Sequence, residues 1–359
     1  MMTCKSETEP VSALFTADAC PVIGVNGRTV RFLNPAAQRL FGAVGPGAPL
    51  RRLLPEHVVM HQARAFYATA RIAKQPYAVT LTSMPELKIY RLEPVRRDAP
   101  FPGLIVPGNL LSLELGLSAG FFSAYAAGQT DPVLRHHAAR LEHASDQLRR
   151  WISNVELLQE LRQDMPVAAP VALDIVSVIQ TIAEHIRPVL ARRGIRLEVT
   201  VPESPCPVHA AAKLIEALLL NLLSNAVKSA PSGSCVRVDL ARGVRTVKLA
   251  VRDSGPGFPE HVLQEQFHAY SAHTLPTGTC RGYGLPVCFA AADALRGSIL
   301  IEAPRGDGAC VSLILPMLPA AKAVMHMPGP RSALPDMHTC RAGISDALTD
   351  EDYLPFDPS

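Results

Sequence analysis

The 359 residues predict a multidomain α+β fold: a small α/β domain over residues 11–100, an antiparallel helical hairpin over 108–165, and a long α/β segment over 170–318. Three observations carry this expectation. A strand, tight turn, strand and helix follow one another from Val22; leucines recur every seven residues from Leu134; and three polar, glycine-bearing motifs stand in order between Lys213 and Pro316.

In "VIGVNGRTVRFLNPAAQRLFG", Val22, Ile23 and Val25 lead into Asn26-Gly27, a two-residue hairpin signal. Val30 and Phe32 resume the strand, and Asn34-Pro35 starts a helix. The phrase resembles the opening of a PAS domain, in which an Asn-Pro-Ala and a short amphipathic helix follow the hairpin. That resemblance implies a sensor domain, and nothing in these residues names its ligand.

From Gly108 to Gln163 the chain reads as two helices separated by "GQTDP". The first puts Leu110, Leu113, Leu117, Phe121 and Ala124 on one stripe; the second repeats Leu134, Leu141, Leu148 and Val155, flanked by Trp151, Ile152 and Leu158. A hairpin with two such seams leaves apolar surface uncovered. Pairing two copies into a dimeric four-helix bundle buries it, so a homodimer is expected. Asn109 to Ala127 is apolar but carries Glu114 and follows Pro107-Gly108, which predicts a helix buried in a bundle and no membrane span.

Lys and Arg number 35 against 32 Asp and Glu, a net charge of +3 that does not call for nucleic acid. The eight cysteines form no CxxC pair and have no histidine at metal-ligand spacing, as expected of reduced thiols in a cytoplasmic protein. "MMTCKSETEP" has no basic region followed by an apolar run, so no signal peptide is expected. Residues 319–359 have no periodicity and many breakers, and are expected to be a disordered, partly acidic tail.

The chemistry starts at "KLIEALLLNLLSNAVKSAPSGS". Ile215, Leu218, Leu219, Leu222, Leu223 and Ala226 make a core-facing stripe, while Asn221, Asn225 and Lys228 share another face. Two amides and an ammonium suit a phosphate chain and its magnesium. Val247, Leu249 and Val251 then alternate into "RDSGPGF", where Asp253 ends a strand before Gly255 and Gly257, which let backbone approach a flat ligand. A carboxylate there accepts from an exocyclic amine such as that of adenine. In "TGTCRGYGLPVC", Gly278, Gly282 and Gly284 precede a helix, and exposed amides at such a turn attract anions. "GSILIEA", the turn Gly306 to Gly308 and "ACVSLILP" supply two more strands.

Residues 213 to 316 resemble the ATP-binding domain shared by sensor histidine kinases, gyrase, the heat-shock chaperone of about ninety kilodaltons and the mismatch-repair ATPases. The resemblance implies a two-layer α/β sandwich that binds ATP and magnesium under a lid, here "FHAYSAHTLPTGTC". It also implies that Asn225 is the magnesium ligand, Lys228 contacts phosphate, Asp253 binds adenine, Gly255 and Gly257 give the base room, and Gly282 and Gly284 face the phosphates. Cys280 replaces one of the family's lid glycines and Ser229 its usual aromatic. ATPases of the group carry a water-activating glutamate four residues before the magnesium asparagine; this chain has Asn221, which takes no proton, and so resembles the histidine-kinase branch of two-component phosphorelays.

In that branch the phosphate acceptor is a histidine at the head of a phrase on the first bundle helix. The corresponding "LELGLSA" has Leu113 there, and no alkyl group accepts a phosphoryl group. Glu114, the neighbour that would orient an acceptor, is kept. Three readings stay open: another histidine serves, His143 or His136 on the second helix; the chain is an ATP-binding regulatory pseudokinase; or it phosphorylates another protein. A dimeric adaptor that has lost nucleotide binding is the non-enzyme alternative. With no receiver-domain pattern of its own, the chain would pass any phosphoryl group to a response regulator in trans.

Overall fold

A computed structural model describes residues 12, 15–16, 18–60, 65–84, 87–95, 108–128, 131–162, 170–259, 261–265, 267, 283–302, 308–318 and 335–354. The N-terminal unit is a five-stranded antiparallel sheet: β1 (Val22–Asn26), β2 (Thr29–Leu33), β3 (Ala65–Ile72), β4 (Gln75–Ser83) and β5 (Lys88–Pro94), in the order β2-β1-β5-β4-β3. Gly27, in the left-handed region with φ of 61°, makes the predicted turn, pairing Asn26 with Thr29. Asn34 caps α1 (Pro35–Phe41): its Oδ1 accepts from Ala37 N and Val22 N, both at 2.9 Å, and its Nδ2 donates to three carbonyls upstream. One buried amide thus ties the helix start to β1. A further turn, α2 (Glu56–Val59), completes the cover of this core.

The hairpin consists of α3 (Gly108–Ala127) and α4 (Pro132–Arg162). Ala119 and Ala126 of α3 are buried in the hairpin, and Ser123 donates to Glu142 at 2.7 Å across it. Of the apolar stripe expected on α3, Leu117 and Phe121 point away, 54% and 76% exposed, and Tyr125 beside them is 62% exposed; the side chains of Leu110 and Leu113 lie outside the described residues. Leu141 and Leu148 of the α4 seam are likewise open, whereas Val155 and Leu158 are buried, Leu158 in the core of the next unit. Among the described residues no helix is long and apolar enough to cross a membrane.

The third unit carries β6 (Val171–Asp174), α5 (Ile175–Arg192), β7 (Arg196–Thr200), β8 (Pro207–Ala210), α6 (Ala212–Ser229), β9 (Cys235–Arg242), β10 (Thr246–Arg252), α7 (Gly284–Ala294), β11 (Ser298–Glu302) and β12 (Cys310–Pro316). Strands in the order β11-β12-β10-β9-β7 form a sheet that is antiparallel except for the β7–β9 pair, and α5, α6 and α7 pack on it as a two-layer sandwich. The stripe read from the sequence is its centre: Ile215, Leu218, Leu219, Leu222, Leu223 and Ala226 are all at most 4% exposed.

Two arrangements depart from the sequence expectation. The N-terminal sheet does not end at β3: β3 pairs with β11, making one ten-stranded sheet, and Arg71 binds Asp293 at 2.6 Å beside that seam. The segment after Leu318, expected to be disordered, is folded over residues 335–354 as α8 (Met337–Gly343) and two 3-10 turns, Ser345–Ala347 and Asp350–Tyr353. Asp336 caps α8 through Thr339 N, and Cys340, Ile344, Ala347, Leu348 and Tyr353 join the core against α4, α5 and α6. Its apolar residues are too few and too irregularly spaced to show a period, but every one of these finds a pocket already formed by other helices.

Candidate functional site

The polar face of α6, the end of β10 and the start of α7 meet at one place. Asp253 follows β10 and its Oδ1 accepts from Gly255 N at 2.8 Å and Ala309 N at 3.4 Å. Burial pushes its carboxyl above the usual range, and those two N–H groups oppose the shift. A Cβ at Gly255 would lie 2.5 Å from Ser229 O, and one at Gly308, whose φ is +83°, only 1.9 Å from Asp253 O. Glycine at these two positions lets the chain close around the carboxylate without displacing it.

Asn225 and Lys228 line the same edge. Among the described residues the Asn225 amide has no hydrogen-bond partner, and exposed Lys228 in the last turn of α6 has no ion pair. A Cβ added to Gly284 would be 3.7 Å from Asn225 Oδ1, so the glycine turn and the amide face each other closely. An uncommitted amide oxygen, an exposed ammonium and backbone at a helix start can hold a magnesium–phosphate group, and the partly buried carboxylate of Asp253 can accept from an adenine amine. Gly257, with φ of 78°, lies beyond Asp253; Gly282 and the lid glycines and cysteine lie outside the described residues.

Asn221 has a different place from the one its sequence neighbours imply. It is 3% exposed and fully engaged: its Oδ1 accepts from Arg150 Nη2 at 3.0 Å and Asn154 Nδ2 at 3.2 Å, and its Nδ2 donates to Asn154 Oδ1 and Ala217 O. With every site of the amide in use, its role is to dock α4 on α6. Arg150 also donates to Ser224 Oγ at 2.5 Å and pairs with Asp346 at 3.2 Å. The sequence reading missed Arg150 and Asn154. Their four-residue spacing on α4, off the leucine seam, was the available signal, but it is shared by most solvated helix faces.

The histidines on α4 divide. His136 is exposed. His143, one of the alternative acceptors, is covered by the C-terminal segment: Nδ1 lies 2.7 Å from Asp350 Oδ1, Nε2 lies 3.1 Å from Ser345 O and from Gln147 Nε2, and the ring stacks on Tyr353 at 5.0 Å. Both ring nitrogens are therefore occupied, leaving neither exposed to accept a group. Position 113 falls on α3, and the side chain of Leu113 lies outside the described residues, as does that of Glu114. A cavity of about 200 Å³ lies between α4, α6 and α8, lined by Arg150, Asn154, Lys213, Glu216, Asn221 and Gly343 among others; Asn225 and Asp253 do not line it.

Residues 210–319 match the family model described as histidine kinase-, DNA gyrase B-, and HSP90-like ATPase. The adaptive-response sensory kinase SasA of Synechococcus sp. (strain JA-2-3B'a(2-13)) is 29% identical over 197 residues, covering 53% of this chain and 51% of that protein. The signal transduction histidine-protein kinase AfsQ2 of Streptomyces coelicolor is 33% identical over 201 residues, covering 55% of this chain and 36% of AfsQ2. The chain thus spans about half the length, or less, of these curated relatives. Among solved structures it is similar to the Acinetobacter baumannii histidine kinase AdeS, with a TM-score of 0.41, 16% identity and coverage of 59% and 96% of the two chains. Full-length ShkA in complex with AMPPNP gives a TM-score of 0.45, 20% identity and coverage of 59% and 46%.

Proposed function

We propose that this chain, whose residues 210–319 match the histidine kinase-, DNA gyrase B-, and HSP90-like ATPase model, is a two-component protein of the sensor histidine kinase class that binds ATP with magnesium. Its main support is the uncommitted Asn225 amide facing the Gly284 turn, on the same edge as the partly buried Asp253. In this reading Asn225 holds magnesium, Lys228 contacts a phosphate, Asp253 accepts from the adenine amine, Gly255 and Gly257 leave room for the base, and the amides of Gly282 and Gly284 face the phosphates. Bound ATP supplies the phosphoryl group. The chain's own residues orient it and exclude water, and Asn221, lacking a basic group, leaves no general base for hydrolysis at that position.

The five-stranded antiparallel unit with its capped α1 supports a PAS-like sensor domain. The open stripe of α3 with the α4 seam supports a homodimer through the hairpin, and a response regulator is the partner in trans that this class requires. A second reading, an ATP-binding regulator that does not phosphorylate itself, is favoured by one specific observation: Leu113 fills the acceptor position while both ring nitrogens of His143 are taken.

Titration with a fluorescent ATP analogue and magnesium tests the common part. Binding that is lost in Asn225→Ala and Asp253→Asn is expected; no binding at high micromolar concentration replaces this reading with that of an adaptor. Incubation with labelled ATP separates the two versions. Acid-labile, alkali-stable label lost in His143→Ala or His136→Ala establishes the kinase, and bound ATP without label establishes the regulator.

A further inference from the structure

Three polar groups converge at the first residue of α7. A Cβ placed on Gly284 would lie 3.2 Å from Asn221 Oδ1, 3.7 Å from Asn225 Oδ1 and 3.8 Å from Arg150 Nη2. The guanidinium comes from α4, outside the ATP-binding unit, and its side chain is 6% exposed. Two neutral oxygens, Asn221 Oδ1 and Ser224 Oγ, fix its plane, and its carboxylate partner is Asp346 at 3.2 Å, on the C-terminal segment and itself 36% exposed. Trp151, the next residue on α4, lies beside Tyr283 with ring centroids 6.1 Å apart, so α4 meets the glycine turn at two successive positions.

We propose that Arg150 reads the γ-phosphate of bound ATP, and that Asp346 is the anion it holds when no such phosphate is present. The inference deepens the ATP reading above and rests on it. A guanidinium taken this far out of water requires an anion, because its desolvation is otherwise uncompensated. Burial lowers the affinity of Arg150 for its proton and Asp346 opposes that shift, in keeping with a single carboxylate carrying the compensation. A phosphate at the Gly284 turn offers more charge and more acceptor oxygens than one half-open carboxylate, and the planar fork of arginine matches it. Asn221, which cannot activate water, then serves to aim Arg150. Because Asp346 belongs to the segment that covers His143, ATP and that segment compete for one side chain. Nucleotide with a third, γ-phosphate loosens the cover, and ADP, which lacks it, does not.

Affinities for magnesium-ATP and magnesium-ADP, measured by calorimetry on the full chain, test this. Arg150→Met is expected to weaken ATP about 10- to 100-fold while changing ADP by less than about threefold, since a hydrogen-bonded charge contributes on that scale. Asp346→Asn keeps Arg150 and removes its competitor, so ATP tightens by about threefold or more with ADP unchanged. Hydrogen exchange at the amides of Ala347 and Leu348 rises with ATP and not with ADP. If Arg150→Met does not fold, Asp346→Asn and the exchange experiment decide. Equal losses for both nucleotides in Arg150→Met, or an ATP affinity indifferent to Asp346→Asn, overturn the inference and leave the ATP reading standing. A wild-type chain that binds neither nucleotide removes both.

Discussion

Replacing Arg341 with methionine should release the C-terminal segment while leaving the rest of the chain folded. Arg341 of α8 donates from Nε to Asp146 Oδ2 at 3.0 Å and from Nη2 to Glu142 Oε1, and its guanidinium lies over the Tyr353 ring, 4.5 Å from the centroid. Asp146 is out of reach of water: its side chain is 3% accessible, with the Tyr353 hydroxyl at 3.1 Å and Arg149 Nη1 at 3.4 Å as its other partners. Methionine keeps most of the volume but strands two carboxylates, and breaking such a buried pair costs about 3–5 kcal/mol. Arg149 remains as a partial counter-charge, which places the expected loss near the lower end, about 3 kcal/mol. The segment is anchored to the surface of a larger core, so the loss appears as local opening, with the open population rising about 100-fold. Hydrogen exchange resolves it. The amides of Ile344 and Asp352, which donate to Arg341 O and Thr349 O within the segment, should exchange about 100-fold faster, while those of β10 and β12 keep their protection. Adding Asp146→Leu removes the stranded charge and should restore much of the protection. Unchanged exchange at Ile344 and Asp352 in Arg341→Met would refute the assignment of this ion cluster as the clasp.

The Glu216 carboxyl is pushed up to about 7, first by burial and further by Asp336, against the pull of Lys213. Its stabilising contribution is therefore full below its ordinary value near 4.5 and lost as pH rises toward 7, by about 3 kcal/mol; urea unfolding across that window should show the fall, and Glu216→Gln should flatten it. Phe121 is 76% exposed at the middle of the α3 stripe, so light scattering at micromolar concentration should give a dimer for the wild type and a monomer for Phe121→Glu. A monomeric wild type would remove the support for pairing through this face.

Much of the architecture was legible because it is written at short range. The hairpin at Asn26-Gly27, the Asn34 cap and the stripe from Ile215 to Ala226 depend on neighbours one to four residues away, and each is found where its spacing puts it. The grouping of Asn225, Asp253 and Gly284 was legible for a related reason: each lies in or next to the terminal turn of an element, and the packing of those elements brings these positions together. What the local pattern misjudged are residues whose partners lie far along the chain. His143 reads as an available acceptor on the second helix, yet its partners are Ser345 and Asp350, about two hundred positions away.

By itself, then, the sequence determined the Asn26-Gly27 hairpin, the helix that Asn34 caps, the two hairpin helices and the apolar stripe of α6, and it placed Asn225, Asp253 and Gly284 in motifs that the fold brings to one edge of the sandwich. Only the tertiary structure decided that Asn221 serves to dock α4, that the two sheets are one, and that residues 335–354 fold over His143. The physical reason is that periodicity and capping are local properties of the backbone, whereas the pairing of a buried amide, guanidinium or imidazole depends on which surface arrives against it. A single Arg150, held at once by Asn221, Ser224 and Asp346, is what that arrival produced here.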